Sequence, residues 1–113
     1  MSRHEDEVRL GHMLDHAQEG VELCRGRARI DLDSDRLLNL ALVRLVEIVG
    51  EAANRVSVQG QAMRPEIPWR EIIGMRNRIV HGYDEVDFDI LWSVIQGDLP
   101  PLIERLKAML GRP

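Results

Sequence analysis

Residues 34–58 are the most apolar part of the chain, and their pattern restricts the fold more than any other feature. Most positions from 37 to 49 are aliphatic, and the polar residues recur at steps of three and four. On a helix this spacing leaves one narrow polar stripe, made of Arg36, Arg44, Glu47, Glu51, and Asn54 with Arg55. A helix with so narrow a polar face is buried on several sides. We therefore expect it to be central in the domain, to lie in an oligomer interface, or both.

Apolar residues follow helical spacing in three further segments. The first covers residues 5–24, and the third opens at Pro68 and runs to about residue 80, where Gly82 ends it. The fourth starts near Asp87, and its Pro100-Pro101 step is expected to kink it or split it in two.

Between the second and third helices, residues 59–68 contain Gly60, Pro65 and Pro68 and are predicted to be a loop. No stretch alternates with period two for long enough to predict a strand. The pattern therefore predicts an all-α, up-and-down bundle of about four helices, forming a single domain over residues 1–113.

Composition excludes several classes of protein. The formal net charge is −4, and fourteen of the fifteen basic residues are arginine, so the chain is a poor candidate for a general nucleic-acid coat. Cys24 is the only cysteine, which rules out an internal disulfide and a cysteine-based zinc site within one chain. We find no cofactor-binding motif and no apolar run long enough to cross a membrane. A cytoplasmic location is expected.

The densest group of reactive side chains lies in residues 76–83, RNRIVHGY. A neutral histidine such as His81 can accept and return a proton near pH 7, and Arg76 can bind phosphate oxygens. Together they suit metal-free RNA cleavage, in which a 2′-hydroxyl attacks the adjacent phosphate. The alternative is a structural role, because arginines are also favourable at the carboxyl end of a helix.

Residues five apart on a regular helix, such as Arg76 and His81, differ by about 140° in direction. Three arrangements could bring them together. The helix could end before His81, the long arginine side chain could span the angle, or a partner chain could complete the site. A two-fold dimer would place two copies of the segment across one groove.

The segment resembles the RxxxxHxY motif of the HepT-like proteins, a branch of the HEPN superfamily. Three further runs resemble that family in the same order along the chain: VEIVGEAA at 46–53, IPWREIIGMRN at 67–77, and DLPPL at 98–102. Four ordered matches are far more specific than an arginine and a histidine at fixed spacing.

The resemblance implies a dimeric helical bundle that acts as a metal-independent endoribonuclease toxin on tRNA or mRNA, without a cofactor. It also implies a minimal nucleotidyltransferase (MntA-like) antitoxin as partner. Carried over by position, Arg76 and His81 are the catalytic pair, Asn77 is the polar residue beside them, and Tyr83 is the target of AMP transfer. The motif does not fix the role of Arg78, which we group with Asn77 as supporting RNA binding. The alternatives are an inactive helical dimer acting as an adaptor for a nucleotidyltransferase, and a purely structural domain.

Other residues are assigned structural roles. His12 and His16 share a helix face, but no third metal ligand is evident, so we expect solvent-facing side chains. Cys24 is in phase with the apolar stripe and is expected in the core. Trp69 and Trp92 are expected to pack rather than stack on bases. The acidic group Asp84, Glu85, Asp87 and Asp89 is predicted to be a solvated turn with a helix cap.

Overall fold

The structure is a computed structural model that describes residues 2–83 and 85–113. Its helices in chain order are α1 Arg3–Leu23, α2 Asp31–Ser34, α3 Arg36–Asn54, α4 Val58–Ala62, α5 Trp69–Ile73, α6 Met75–Ile79, α7 Phe88–Ser93 and α8 Leu99–Leu110. A π-helical segment, Val94–Asp98, joins α7 to α8, and two short strands, β1 Val80–His81 and β2 Glu85–Val86, follow α6. The all-α fold class is confirmed.

Helix α3 is the central helix, as its pattern predicts. It packs against α1, α5, α6 and α7, and it buries Leu42, Val46 and Val49 completely or almost completely. The Asp35 carboxylate caps it by accepting a hydrogen bond from the Leu38 N–H at 3.0 Å. The polar stripe therefore lies along the one side of α3 that the core does not cover.

The end of α3 and the predicted loop at 59–68 differ from expectation. Helix α3 ends at Asn54, and Arg55 is its C-cap, so the helix stops short of residue 58. A short helix, α4, occupies part of the predicted loop because the Ser57 hydroxyl caps it, accepting from the Gly60 N–H at 2.9 Å.

The third predicted helix is also interrupted. Gly74 separates α5 from α6, and α6 ends at Ile79. Val80 is extended and pairs with Val86 across an antiparallel hairpin, while Gly82 takes the left-handed conformation with φ of +73° in the turn. The sequence pattern predicted no strand, and this prediction was wrong for a hairpin whose two strands have two residues each.

The last helix is split, which confirms the prediction for Pro100-Pro101. The break lies just before the prolines, where the Leu99 N–H donates to the Val94 carbonyl across a π turn. Prolines have no N–H to continue the helical ladder, but the first turn of α8 tolerates them.

The acidic segment before the last helices is partly as predicted. Asp87 caps α7 by accepting from the Ile90 N–H at 3.0 Å, which confirms the helix cap. Glu85 lies in β2, and Asp89 pairs with Arg29 at 2.7 Å. Asp84 lies outside the described residues. Within the described ranges, no helix combines the length and apolar character that crossing a membrane requires.

Gly50 lets α5 approach α3 closely and so positions the segment that carries Arg76. A Cβ at residue 50 would lie 3.2 Å from the Ile72 carbonyl oxygen and 3.3 Å from that of Ile73. Both neighbours are backbone atoms, which cannot rotate away as a flexible side chain can. A larger residue at position 50 must therefore push the α5–α6 segment outward.

We expect Gly50→Val to lower the free energy of unfolding by about 1–3 kcal/mol through this overpacking. Urea denaturation measures the change. Gly97→Val is the matched control, because a Cβ at Gly97 meets no atom of the described residues within 4 Å. Equal destabilisation by the two substitutions would contradict the close approach.

Candidate functional site

The backbone of residues 75–83 places Arg76 and His81 on different elements. Arg76 lies in α6, whereas His81 lies in β1 opposite Glu85. The helix therefore ends before His81, which is the first of the three arrangements that the spacing left open. The extended conformation of Val80 breaks the helical phase that would have directed the two side chains about 140° apart.

The side chain of Arg76 is held on α3 by Glu47. The Arg76 Nε lies 3.4 Å from Glu47 Oε2, and the other carboxylate oxygen of Glu47 accepts a hydrogen bond from Arg44. The Glu47 side chain is 28% exposed and that of Arg76 is 48% exposed. The Glu47 carboxylate thus pairs with two guanidiniums, and the three side chains together carry a net charge of +1.

Two shallow depressions meet at Arg76 and Glu47, and we call them together the α3 groove. One, of about 320 Å³, is lined by Glu47, Gly50, Glu51, Asn54, Ile73, Arg76 and Asn77. The other, of about 240 Å³, is lined by Arg36, Asn39, Leu40, Val43, Arg44, Glu47, Arg76, Val80, Tyr83 and Val86. The polar stripe of α3 therefore lines one side of the groove, and the other side is lined by Ile73, Arg76, Asn77, Val80, Tyr83 and Val86.

The other predicted site residues are accessible. Asn77 lines the groove beside Arg76, and Tyr83 lines its other half with a fully exposed side chain. His81 is exposed on β1. The structure thus places Arg76, Asn77 and Tyr83 along one groove. His81 lines neither half of this groove, so the end of the helix before His81 does not by itself bring His81 to Arg76.

Arg78 has a different environment from Arg76. Its Nη1 lies 3.1 Å from the Asp98 carboxylate at the end of the π segment. The two side chains are 46% and 38% exposed, so the ion pair adds little stability. Arg78 therefore has a structural partner, and its contribution to RNA binding stays a prediction.

The residues assigned structural roles can also be placed. Cys24 is buried in the core, as predicted, and burial raises the pKa of its thiol. Trp69 packs against the core and its indole N–H donates to the carbonyls of Gln61 and Arg64 at 3.1 and 3.0 Å. Trp92 also packs against the core. Packing roles are therefore confirmed for both tryptophans.

The prediction of solvent-facing side chains is confirmed for His12 but not for His16. His12 is exposed and His16 is partly buried. The His16 ring donates from Nδ1 to the His12 carbonyl oxygen at 2.7 Å. In the described part of the chain, no three His, Cys, Asp or Glu side chains are grouped so that they could hold a metal ion.

Glu47 is the site residue that sequence reasoning did not single out. Its position on the polar stripe was visible, but so were Glu51 and Asn54 at equivalent spacing. Only the packing of α6 against α3 decides which of them meets Arg76. The signal in the sequence was the apolar run 46–53, in which Glu47 is followed by the close-packing Gly50.

Taken together, the fold and site define a helical domain with an exposed Arg–His segment suited to phosphate chemistry. Residues 13–109 match the model of the family described as "Ribonuclease HepT-like". The chain belongs to this ribonuclease HepT-like family.

Curated relatives agree with this membership. A protein named "Putative RNase" from Caldanaerobacter subterraneus subsp. tengcongensis is 33% identical over 91% of this chain and 92% of its own length. "Probable ribonuclease HepT" from Thermococcus cleftensis is 34% identical over 79% and 84%. A "Putative RNase" from Methanocaldococcus jannaschii is 26% identical over 90% and 94%. No solved structure matches the chain significantly.

The contact between Arg76 and Glu47 can be measured by a double-mutant cycle. We expect a coupling energy of about 0.2–1 kcal/mol for Arg76→Ala and Glu47→Ala in urea unfolding, because the pair is partly exposed. The coupling should fall in about 1 M NaCl, where charges are strongly screened. Glu51→Ala is the control, since its carboxylate lies 4.0 Å from Arg44 instead. Equal coupling of Arg76 to Glu51 and Glu47 would contradict the assignment.

Proposed function

We propose that the protein is a metal-independent endoribonuclease that acts as the toxin of a toxin–antitoxin pair in the cytoplasm, with tRNA or mRNA as substrate. The observation that carries the proposal is Arg76, which is anchored by Glu47 where the two halves of the α3 groove meet and is followed by His81 on β1. Membership of the ribonuclease HepT-like family supports it.

The proposed reaction needs only these side chains and the RNA itself. His81 takes the proton from a 2′-hydroxyl, and the 2′ oxygen forms a bond to the adjacent phosphorus while the bond to the 5′ oxygen breaks. His81 then returns that proton to the departing 5′ oxygen, and Arg76 stabilises the charge that develops on the non-bridging oxygens. The products are a 2′,3′-cyclic phosphate and a 5′-hydroxyl, and no oxidant or metal enters the balance.

We further propose that the protein acts as a homodimer. Leu37 and Leu40, on the first turns of α3, are 81% and 49% exposed. Leu40 also lines the α3 groove together with Val43. Burying these side chains in a two-fold interface would remove apolar surface from water and bring two copies of the groove together.

The proposed partner is a minimal nucleotidyltransferase antitoxin that modifies Tyr83. In that step the Tyr83 oxygen attacks the α-phosphate of a nucleoside triphosphate, pyrophosphate leaves, and the phenolic proton is released. The full exposure of Tyr83 at the edge of the groove supports this role. An attached phosphodiester would compete with RNA phosphate for Arg76.

We expect His81→Ala and Arg76→Ala each to reduce RNA cleavage by at least about 10²-fold, because general acid–base catalysis and charge stabilisation are each worth that much. Cleavage of labelled RNA by purified protein measures the loss. Arg70→Ala, which removes an exposed arginine from α5, is the control and should retain activity. Undiminished cleavage by His81→Ala, or loss of cleavage in EDTA, would overturn the mechanism.

Co-expression with a neighbouring nucleotidyltransferase should add one AMP to the protein, at Tyr83. Tyr83→Phe should abolish the addition, because the acceptor hydroxyl is gone, and should leave basal RNA cleavage intact. Intact-mass spectrometry measures the addition, peptide mass spectrometry locates it, and cleavage of labelled RNA measures the basal activity. A fully inhibited complex with unmodified Tyr83 would exclude covalent neutralisation.

A further inference from the structure

A second cavity, shallow and open to solvent, lies at the end of α3, beyond the site of the motif. It measures about 600 Å³ and is lined by Arg9, Asn54, Arg55, Val56, Ser57, Val58 and Gln59. Asn54 also lines the α3 groove near Arg76. The cavity therefore continues the line of the groove past the last turn of α3.

Two guanidiniums in this cavity have no ionic partner within 4.0 Å in residues 2–83 and 85–113. These are Arg9 from α1 and Arg55 from the α3 C-cap, whereas Arg44, Arg76 and Arg78 are each in an ion pair. The Arg9 Nε is buried and has no hydrogen-bond partner among the same residues. Buried donors are nearly always satisfied, so a guanidinium in this state is unusual.

Asp6, which contacts the cavity-lining residue Ser57, already accepts hydrogen bonds from other donors. The Asp6 carboxylate accepts from the Ser57 N–H at 2.9 Å and from the Ser57 hydroxyl at 2.6 Å. These hydrogen bonds hold the pKa of Asp6 below its ordinary value, so it is ionised at neutral pH. Asp6 fixes the backbone at Ser57 and does not pair with Arg9 or Arg55.

The separation of this cavity from Arg76 along α3 corresponds to a few nucleotides of RNA. Arg55 comes eight positions after Glu47, which holds Arg76, and that is about 12 Å along a helix at 1.5 Å per residue. A stacked nucleic-acid strand rises about 3.4 Å per nucleotide. Three or four nucleotides therefore separate the two positions.

We infer that Arg9 and Arg55 form a phosphate-binding subsite that holds the backbone of single-stranded RNA about three to four nucleotides from the bond that is cut. The inference rests on the proposed ribonuclease function and adds a sequence-independent anchor to it. Arginines suit this role because the guanidinium binds two phosphate oxygens at once and stays charged at every physiological pH. An RNA that is too short to reach the subsite gains no binding affinity from it.

The test measures binding without cleavage, in protein that carries His81→Ala. Fluorescence anisotropy compares a labelled RNA of about twelve nucleotides with one of about three, at NaCl concentrations from about 50 to 200 mM. The variants are Arg9→Gln with Arg55→Gln, and Arg55→Gln alone, which keeps the test valid if the change at the partly buried Arg9 disturbs folding. Arg25→Gln with Arg105→Gln removes the same two charges from exposed positions elsewhere on the surface.

We expect the double variant to bind the longer RNA about tenfold more weakly in about 50 mM NaCl. Its slope of log affinity against log salt should fall by about 1.4, since each phosphate contact on a single strand contributes about 0.7. For Arg55→Gln alone the slope should fall by about half as much, about 0.7. The shorter RNA should bind equally to the double variant and to the control.

Two results would overturn the inference alone: equal affinity and slope for the double variant and the control on the longer RNA, or equal weakening on both RNA lengths. In both cases the parent protein still binds RNA, and the proposed function stands. If the parent binds neither RNA, the inference and the ribonuclease proposal fail together.

Discussion

The carboxylate of Glu47 is the point on which the site depends. It forms ion pairs with Arg44 of its own helix and with Arg76 of α6. These pairs join the central helix to the segment that carries the Arg–His motif. The contact exists because Gly50, one turn further on, lets the α5 backbone lie against α3. An exposed ion pair adds little stability, but it restricts a long side chain that otherwise has many rotamers. Orientation, more than stability, is what Glu47 gives to Arg76.

Charge is separated within the protein although its net value is −4. Several carboxylates already have ionic or hydrogen-bond partners. Glu47 pairs with two arginines, Asp35 pairs with Arg27 and accepts from the Leu38 N–H, and Asp98 pairs with Arg78. The arginines along the α3 groove keep donors available for an anion. A small Arg-lined groove in an otherwise acidic protein favours local recognition of a phosphate strand over general coating of nucleic acid.

Periodicity was enough to predict the central helix, the first helix and the split near Pro100-Pro101, because each depends on residues close in sequence. It could not predict α4, whose capping Ser57 is fixed by Asp6, 51 residues away. The hairpin of Val80 and Val86 was missed because two-residue strands are too short to show alternation. The stripe of α3 contained Glu47, but only tertiary packing shows that Glu47, not Glu51, meets Arg76. The catalytic assignment of Arg76 and His81 stays a prediction.

The chemistry of the RNA ends tests the proposed mechanism most directly. Mass spectrometry of the fragments from a defined RNA, together with a substrate that has a single 2′-deoxy nucleotide at the cut site, reads which oxygen attacks the phosphorus. Attack by the neighbouring 2′ oxygen predicts fragments with 2′,3′-cyclic phosphate and 5′-hydroxyl ends, and no cleavage at the 2′-deoxy position. Fragments with 3′-hydroxyl and 5′-phosphate ends, or normal cleavage at the 2′-deoxy position, would contradict it.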